Sequence, residues 1–181
     1  MGSLTMRAYL PSIRLRGLTR APALVTGSRR RPELAKGERA LMSERDATTR
    51  RRVVATGSAI HYQDLDRGFA AWHRLGWDEV ERADWDADRA ELRIVSLAPE
   101  TAPHLVLRSP GARRLLDLAR ERIRATTLVH VPLRPAGWLA ARRPASGDGE
   151  VRWVVRPAPG AEPTDAEVAE IIRTVRVQAG L

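Results

Sequence analysis

The chain has 181 residues, 31 Lys and Arg against 22 Asp and Glu, a formal net charge of +9, and no cysteine. Without thiols there is no disulfide, thiolate metal site or cysteine nucleophile, which fits a reducing compartment and leads to the expectation of a cytoplasmic protein. No apolar run approaches the roughly 18–20 residues of a membrane-spanning helix.

The charge is unevenly spread. Residues 1–32 hold seven arginines (Arg7, Arg14, Arg16, Arg20, Arg29, Arg30, Arg31) and no acid, so the other 149 residues carry 24 basic and 22 acidic side chains, a net of +2. Prolines and glycines break any period in this stretch, and its start lacks the Ser or Thr of a myristoylation signal. It reads as a disordered basic tail. The same composition suits a transit peptide, a start codon placed too far upstream, or an arm for a polyanion. Thirty of the 31 cations are arginine and Lys36 is the one lysine; GC-rich coding produces that bias, and so does a need for phosphate forks.

Residues 33–181 read as one domain, large enough for a self-supporting core. Strands are expected over 37–42 and over 51–62, the latter with Gly57 as a bend or bulge. A polar turn over 63–68 leads to strands over 69–77 and 81–86. Asp86 opens a turn into a strand over 91–97. After a Pro-rich loop over 99–103, residues 104–108 form a short strand. Ser109 as N-cap and Pro110 at the first helical position start a helix to residue 125. Its Leu115, Leu116, Leu118, Ala119 and Ile123 make one apolar stripe. Residues 126–131 return to strand, and Pro132 marks an edge or an end. Strands over 137–143 and 150–156 are joined by hairpin chemistry at Gly147-Asp148-Gly149; in the second, Val151, Trp153 and Val155 alternate with Arg152 and Arg156. Thr164 and Glu167 form a capping box for a last helix that buries Val168, Ile171, Ile172 and Val175 and ends before Gly180. The fold class is α+β: a curved, mainly antiparallel sheet or barrel of roughly seven to nine strands packed by two helices.

Three short motifs carry a family resemblance. They are Leu34 with Gly37-Glu38-Arg39-Ala40-Leu41, then Val53-Val54-Ala55-Thr56, then Leu75-Gly76-Trp77 with Val80. With the order of elements over 34–97, they resemble bacterial pleckstrin-homology-like and GRAM-type domains. The whole chain also looks like a group of conserved actinobacterial proteins of uncharacterised function. The resemblance implies a pleckstrin-like barrel that serves as a scaffold for lipid, peptide or no small ligand. No headgroup-binding residues carry over, because no matching motif is present. The chain departs from the family in its C-terminal third. Such a barrel closes with one helix, whereas here three strands and a second helix follow. Either the first helix is an insertion or cap, or the C-terminal elements form an appended layer.

The candidate residues for chemistry have bland readings beside the sharp ones. Trp72, Trp77, Trp85, Trp138 and Trp153 fall in expected strands, where indoles fill a curved sheet or stack on bases. With one Phe and two Tyr in the chain, much of the core volume must come from them. Asp78, Glu79, Glu81, Asp84, Asp86 and Asp88 crowd one stretch, but the Gly and distal Glu of a calcium loop are missing, and Arg82 and Arg89 supply counter-charges. His61, His73, His104 and His130 show no zinc spacing, and no nucleophile elbow or phosphate loop occurs. His61 and His73 flank one turn and are placed to approach each other. No cofactor and no metal are expected.

The polyanion candidates are Arg29, Arg30 and Arg31 in the tail, Arg113 and Arg114 on the first helix, and Arg142 and Arg143. Three tail arginines contribute roughly 3 kcal/mol at an anionic surface, and seven phosphate contacts give a salt slope of about −6, both sequence-blind. Strong core patterning without a catalytic constellation points to a non-enzymatic cytoplasmic binding or scaffold module. Its expected partner is another protein, on a sheet edge or helix groove. The alternative is arginine-mediated binding of nucleic acid or an anionic membrane surface through the basic tail. A third reading is an enzyme built on His61, His73 and the acidic turn.

Overall fold

The computed structural model describes residues 31–64, 71–98, 104–133, 137–147, 149–161 and 163–181. The described residues form ten strands, two α-helices and a 3-10 turn. In order these are β1 (Ala40–Arg45), β2 (Arg52–Thr56), β3 (Ala59–Asp64), β4 (Ala71–Gly76), the turn Trp77–Glu79, β5 (Val80–Asp86), β6 (Glu91–Ser96) and β7 (Leu105–Leu107). Then follow α1 (Ala112–Thr126), β8 (Thr127–Leu133), β9 (Gly137–Arg142), β10 (Arg152–Pro157) and α2 (Asp165–Ala179). The expected tail falls outside the described residues except for Arg31 and Pro32, and the 63–68 turn beyond Asp64 and the 99–103 loop also lie outside them.

The α+β class and the two helices hold, but the single curved sheet does not. The strands form three antiparallel sheets, β1-β2-β3-β4, β5-β6-β7 and β10-β9-β8, and none closes into a barrel. Pairing breaks between β4 and β5 because the corner's amides bond elsewhere. Trp77 N–H donates to the Ser58 carbonyl at 3.2 Å, and Leu97 N–H to that of Glu79 at 2.9 Å.

Alternation along the strands builds one large core. Val53 and Ala55, Ile60 and Tyr62, Leu75, Trp77 and Val80, Leu92 and Ile94, and Leu105 and Leu107 all point into it, joined by Ala112, Leu115, Leu116 and Ala119 of α1. The first helix therefore caps the seven N-terminal strands. The remaining strands and α2 make an appended layer whose buried cluster is Leu133, Leu139 and Val175, flanked by half-buried Val129, Val131, Trp153, Val155, Ile171 and Ile172, with Ala140, Ala141 and Val168 also buried. Sixteen buried residues in the first cluster against three in the second mean that this layer has little core of its own. Of the tryptophans only Trp77 is fully enclosed; Trp85 and Trp153 pack half-buried against the two clusters, and Trp72 and Trp138 are half-buried.

Several boundaries differ from the sequence expectation for local reasons. The chain turns at Gly37 (φ +81°), so β1 begins at Ala40. Residues 51–62 are not one strand but the β2–β3 hairpin, because the Thr56 hydroxyl accepts the N–H groups of Ser58 (3.3 Å) and Ala59 (3.0 Å) and folds the chain back at Gly57. The first helix starts at Ala112 with Gly111 as its N-cap. Ala112 N–H bonds the Ser109 carbonyl at 3.1 Å, and the Ser109 hydroxyl is left buried without a partner instead of capping. Strand β8 continues through Pro132, which sits on an edge strand where a missing N–H costs least. The second capping box forms as the sequence indicates: Glu167 N–H donates to the Thr164 hydroxyl, the Glu167 carboxylate accepts the Thr164 N–H at 2.7 Å, and Gly180 closes the helix at φ +66°.

Candidate functional site

The appended layer turns two different faces to its surroundings. Leu139, Ala141, Trp153 and Val155 point toward α2, so His130, Ala140 and Val154, which are in register across the sheet, point the other way together with Trp138, Arg142, Arg152 and Arg156. That second face meets the Trp77–Val80 corner and the start of β5. Three arginines clasp the corner. Arg142 is 5% exposed, donates from Nη2 to the carbonyls of Trp77 (2.9 Å) and Val80 (2.7 Å), and donates from Nη1 to the Thr127 hydroxyl. Arg156 Nη2 reaches the Glu81 carboxylate at 2.6 Å and the Leu97 carbonyl at 3.3 Å. Arg152 lies 3.8 Å from Asp78 and 3.9 Å from Glu79. The Arg142 Nε–H is buried and has no acceptor. Burial lowers the pKa of this guanidinium from its ordinary value; Asp78 opposes the shift and Arg152 adds to it. Arginine stays charged under such pressure.

Where the two layers part, they leave a cleft of about 190 Å³. Leu97, Ala140, Val154 and Trp138 give it apolar walls, Glu81, Arg82 and Arg142 supply charge, and His130 lies beside Trp138 with ring centroids 5.4 Å apart. Arg82 is already held by Asp84 (2.7 Å) and Glu81 (3.1 Å). Arg142 is therefore the lining cation without a carboxylate in direct contact. The combination offers a buried cation, an aromatic wall and an apolar floor.

The sequence candidates are scattered by the fold. Arg29 and Arg30 lie outside the described residues, and Arg31 is exposed. Arg113 stacks over the Trp85 ring at 4.9 Å. Arg114 is exposed on α1, as are Arg120 and Arg124. The spacing of Arg113, Arg120 and Arg124 puts them on one helical face. Arg142 and Arg143 are consecutive on one chain and part company. Arg142 is turned inward, while Arg143 is half-buried beside Glu150, Trp153 and Arg176 around a second hollow of about 400 Å³. His61 and His73 do not meet. His61 pairs across from Arg74, whereas His73 pairs with Tyr62, stacks on its ring at 5.4 Å and sits 3.6 Å from Asp64. Neighbouring residues of a strand face opposite sides, which separates the two imidazoles. Five acids of the stretch, Asp78, Glu79, Glu81, Asp84 and Asp86, are spent on ion pairs with Arg82, Arg89, Arg152 and Arg156. Among the described residues no three His, Asp or Glu side chains converge as metal ligands would, and no helix is long and apolar enough to cross a membrane.

Three acids escaped the sequence reading, Asp46 and Glu91 buried and Glu38 half-buried. Glu38 accepts from the Ser58 and Thr56 hydroxyls and from Ala35 N–H at 3.1 Å. Burial pushes its pKa up, but these hydrogen bonds overcome that and hold it below the ordinary 4.5. Asp46 collects the amides of Thr48 (2.9 Å), Thr49 (2.5 Å) and Arg108 (2.7 Å), tying the end of β1 to the end of β7. The Asp46-Ala47-Thr48-Thr49 run is the available signal, since Asp bonds its own backbone in such turns. Glu91 is 2% exposed between Arg93 (3.1 Å) and Arg108 (2.5 Å). No protein-family model, curated protein or solved structure matches the chain.

Proposed function

We propose that this chain is a non-enzymatic, cytoplasmic binding module. In this reading its seven N-terminal strands and α1 are a pleckstrin-like unit, left open at the corners, and its partner docks in the cleft where the C-terminal layer leans against it. The carrying observation is the cleft between Trp138 and Leu97, walled by apolar side chains and lined by the buried Arg142 guanidinium. The pleckstrin-like part rests on the order of four strands, three strands and a capping helix. A photo-crosslinking residue at Val154 in the full chain tests the docking site. In extract of the native cell, adducts at Val154 and none at the exposed Val177 of α2 are expected. Equal labelling at both positions removes the cleft from consideration.

One observation favours a second reading, polyanion binding. Arg113, Arg120 and Arg124 line one exposed face of α1, and neither they nor Arg114 form an ion pair among the described residues. Nucleic acid or an anionic membrane surface would meet that face and the basic tail together. Replacing Arg120 and Arg124 by Gln in the full chain should then lower the salt needed for elution from heparin. Unchanged elution on that replacement and on deletion of residues 1–32 rejects this reading.

A further inference from the structure

The outward side of α1 is a row of arginines with few counter-charges. Arg113, Arg114, Arg120 and Arg124 are exposed there and form no ion pair among the described residues. Of the helix's acids, Glu121 is held by Arg122 at 3.5 Å, which leaves Asp117 to face four cations. Trp85 pins the first guanidinium, 4.9 Å from its ring centre, so part of the row is already ordered. From Arg113 to Arg124 the row runs about 16 Å, at roughly 1.5 Å per residue. It leads to the second hollow. Arg143 N–H donates at 2.9 Å to the carbonyl of Thr126, the last residue of α1. Arg143 lines that hollow of about 400 Å³ together with Arg176, Glu150, Val151, Trp153 and Leu181. Neither of its guanidiniums, nor the Glu150 carboxylate, has an ion-pair partner among the described residues. Across row and hollow, six unpaired arginines thus stand against two unpaired acids.

We infer that α1 and this hollow together bind a single-stranded nucleic acid, its phosphates along the arginine row and one unstacked base against Trp153. This rests on the polyanion reading. The row supplies the electrostatic track that a phosphate backbone follows. The hollow asks for more than phosphate. Glu150 repels an anion within it, while Trp153, Val151 and Leu181 offer a flat and apolar contact. That combination suits a base, with Arg143 and Arg176 left for the phosphates on either side. Glu150 can accept from the amino groups that adenine, guanine and cytosine carry on their edges. The hollow's volume of about 400 Å³ falls within the roughly 300–1,000 Å³ of small-molecule sites. A duplex keeps its bases stacked and presents no free face to the indole. An anionic membrane would meet the charges but find no anchor. The apolar face of α1 is spent on the core, and every exposed side chain of the helix except Ala125 is charged.

The test uses the full chain and a labelled strand of about twelve nucleotides, within the site sizes of single-strand binders, made as DNA and as RNA. Fluorescence anisotropy compares it with the same sequence as a duplex, and flotation measures binding to vesicles of phosphatidylcholine with phosphatidylserine. The basic tail attracts every polyanion, so the readout is the ratio of strand to duplex affinity at one salt concentration. The strand should bind several-fold more tightly than the duplex and quench tryptophan fluorescence, and W153F should abolish the quenching. W153L with native circular dichroism should lose roughly five-fold or more in strand affinity and nothing in duplex affinity. If W153L does not fold, R143Q/R176Q must lower the same ratio. R120Q/R124Q should flatten the log–log salt dependence of strand binding by about 1.4, two contacts at roughly 0.7 each. A preference for RNA or DNA decides only whether a 2′-hydroxyl is read, and either result supports the inference. Equal affinity for strand and duplex overturns it and leaves polyanion binding standing. Vesicle binding that R120Q/R124Q abolishes without touching the oligonucleotides also overturns it and assigns the row to a membrane. Strand binding that no variant changes belongs to the tail and overturns it as well. If neither oligonucleotides nor vesicles bind, both readings fall.

Discussion

Arg142 donates to the Trp77 carbonyl at 2.9 Å and to that of Val80 at 2.7 Å, so a buried charge fastens the C-terminal layer to the seven-stranded unit. Trp77 is itself the hinge of that unit. Its indole N–H donates to the Thr56 carbonyl at 3.0 Å and its own N–H to the Ser58 carbonyl at 3.2 Å. One residue thus ties β2 to the β4–β5 corner and presents that corner to the appended layer. The layer's own core is small, and its attachment depends on this polar contact to an unusual degree.

Replacing Arg142 by Met keeps most of the volume and removes the donors. Hydrogen bonds from a charged group contribute about 1.5–3 kcal/mol each, and orphaned acceptors cost about 1–3 kcal/mol, while relief of burying an uncompensated charge offsets part of the loss. A net destabilisation of about 2 kcal/mol is expected, confined to the layer. Amide hydrogen exchange should speed up over β8–β10 and α2 and remain slow in β3 and β6. Uniform acceleration across the chain would mean that Arg142 supports one global core and not a seam.

Trp77→Phe tests the hinge. The substitution removes part of a fully enclosed ring and leaves the Thr56 carbonyl without its donor. Cavity and orphaned-acceptor terms together suggest a loss of about 2–4 kcal/mol in urea unfolding. A loss below about 1 kcal/mol would show that water or local rearrangement satisfies that carbonyl.

Much of this frame was legible in the sequence. Strand alternation marked Val151, Trp153 and Val155, and the helical stripe marked Leu115, Leu116 and Ala119, because burial imposes periods of 2 and 3.6 directly on the residue order. Cap chemistry at Thr164 and Glu167 is equally local. The division into three sheets was not legible, since it turns on which N–H bonds which carbonyl across long stretches of chain, as with the Trp77 indole and Thr56. The seam was hidden for the same reason. Arg142 and Arg143 look identical in sequence, and the strand's pleat alone sends one inward. Arg152 and Arg156 were visible as an alternating pair, but their partners, Asp78, Glu79 and Glu81, lie about 75 residues away.

Gly137 and Gly57 make a paired prediction about backbone space. Gly137 has φ +117°, and a Cβ there would sit 1.9 Å from the Arg156 carbonyl oxygen and 2.6 Å from Ala158 N. Gly137→Ala must push β10 away at the Gly137–Pro157 pair, beside Trp138 and Arg156. With backbone strain of about 1–3 kcal/mol and lost pairing, a drop of about 3 kcal/mol is expected, together with altered Trp138 fluorescence. Gly57 has open space around its Cβ position and no positive φ. Gly57→Ala should be neutral or stabilising by about 0.4–1 kcal/mol through the unfolded chain. Equal effects at the two sites in thermal melts would contradict this account of the β9–β10 edge.

Between pH 3 and 8 the buried ionisable groups set a pH profile with one sign. His61 is 3% exposed and its Nε2 has no partner; burial lowers its pKa from the ordinary 6.5, with Glu38 opposing and Arg74 reinforcing the shift. The unfolded chain therefore takes up that proton first as pH falls, and the stability His61 supplies is complete above about 6.5 and declines below it. Asp46 and Glu38 act the same way at lower pH. Burial raises both carboxyls, but the Arg108 and Thr49 amides for Asp46, and the Ser58 and Thr56 hydroxyls for Glu38, bring them below 3.8 and 4.5, so their contribution is lost through the acid range. Stability should be flat above neutrality and fall in two stages on acidification, each proton limiting the slope to about 1.4 kcal/mol per pH unit. His61→Phe should erase the upper stage and keep the lower, while Asp46→Asn should weaken the lower stage and keep the upper. Urea midpoints from pH 3 to 8 measure both. An upper stage that survives in His61→Phe would place the titrating group elsewhere.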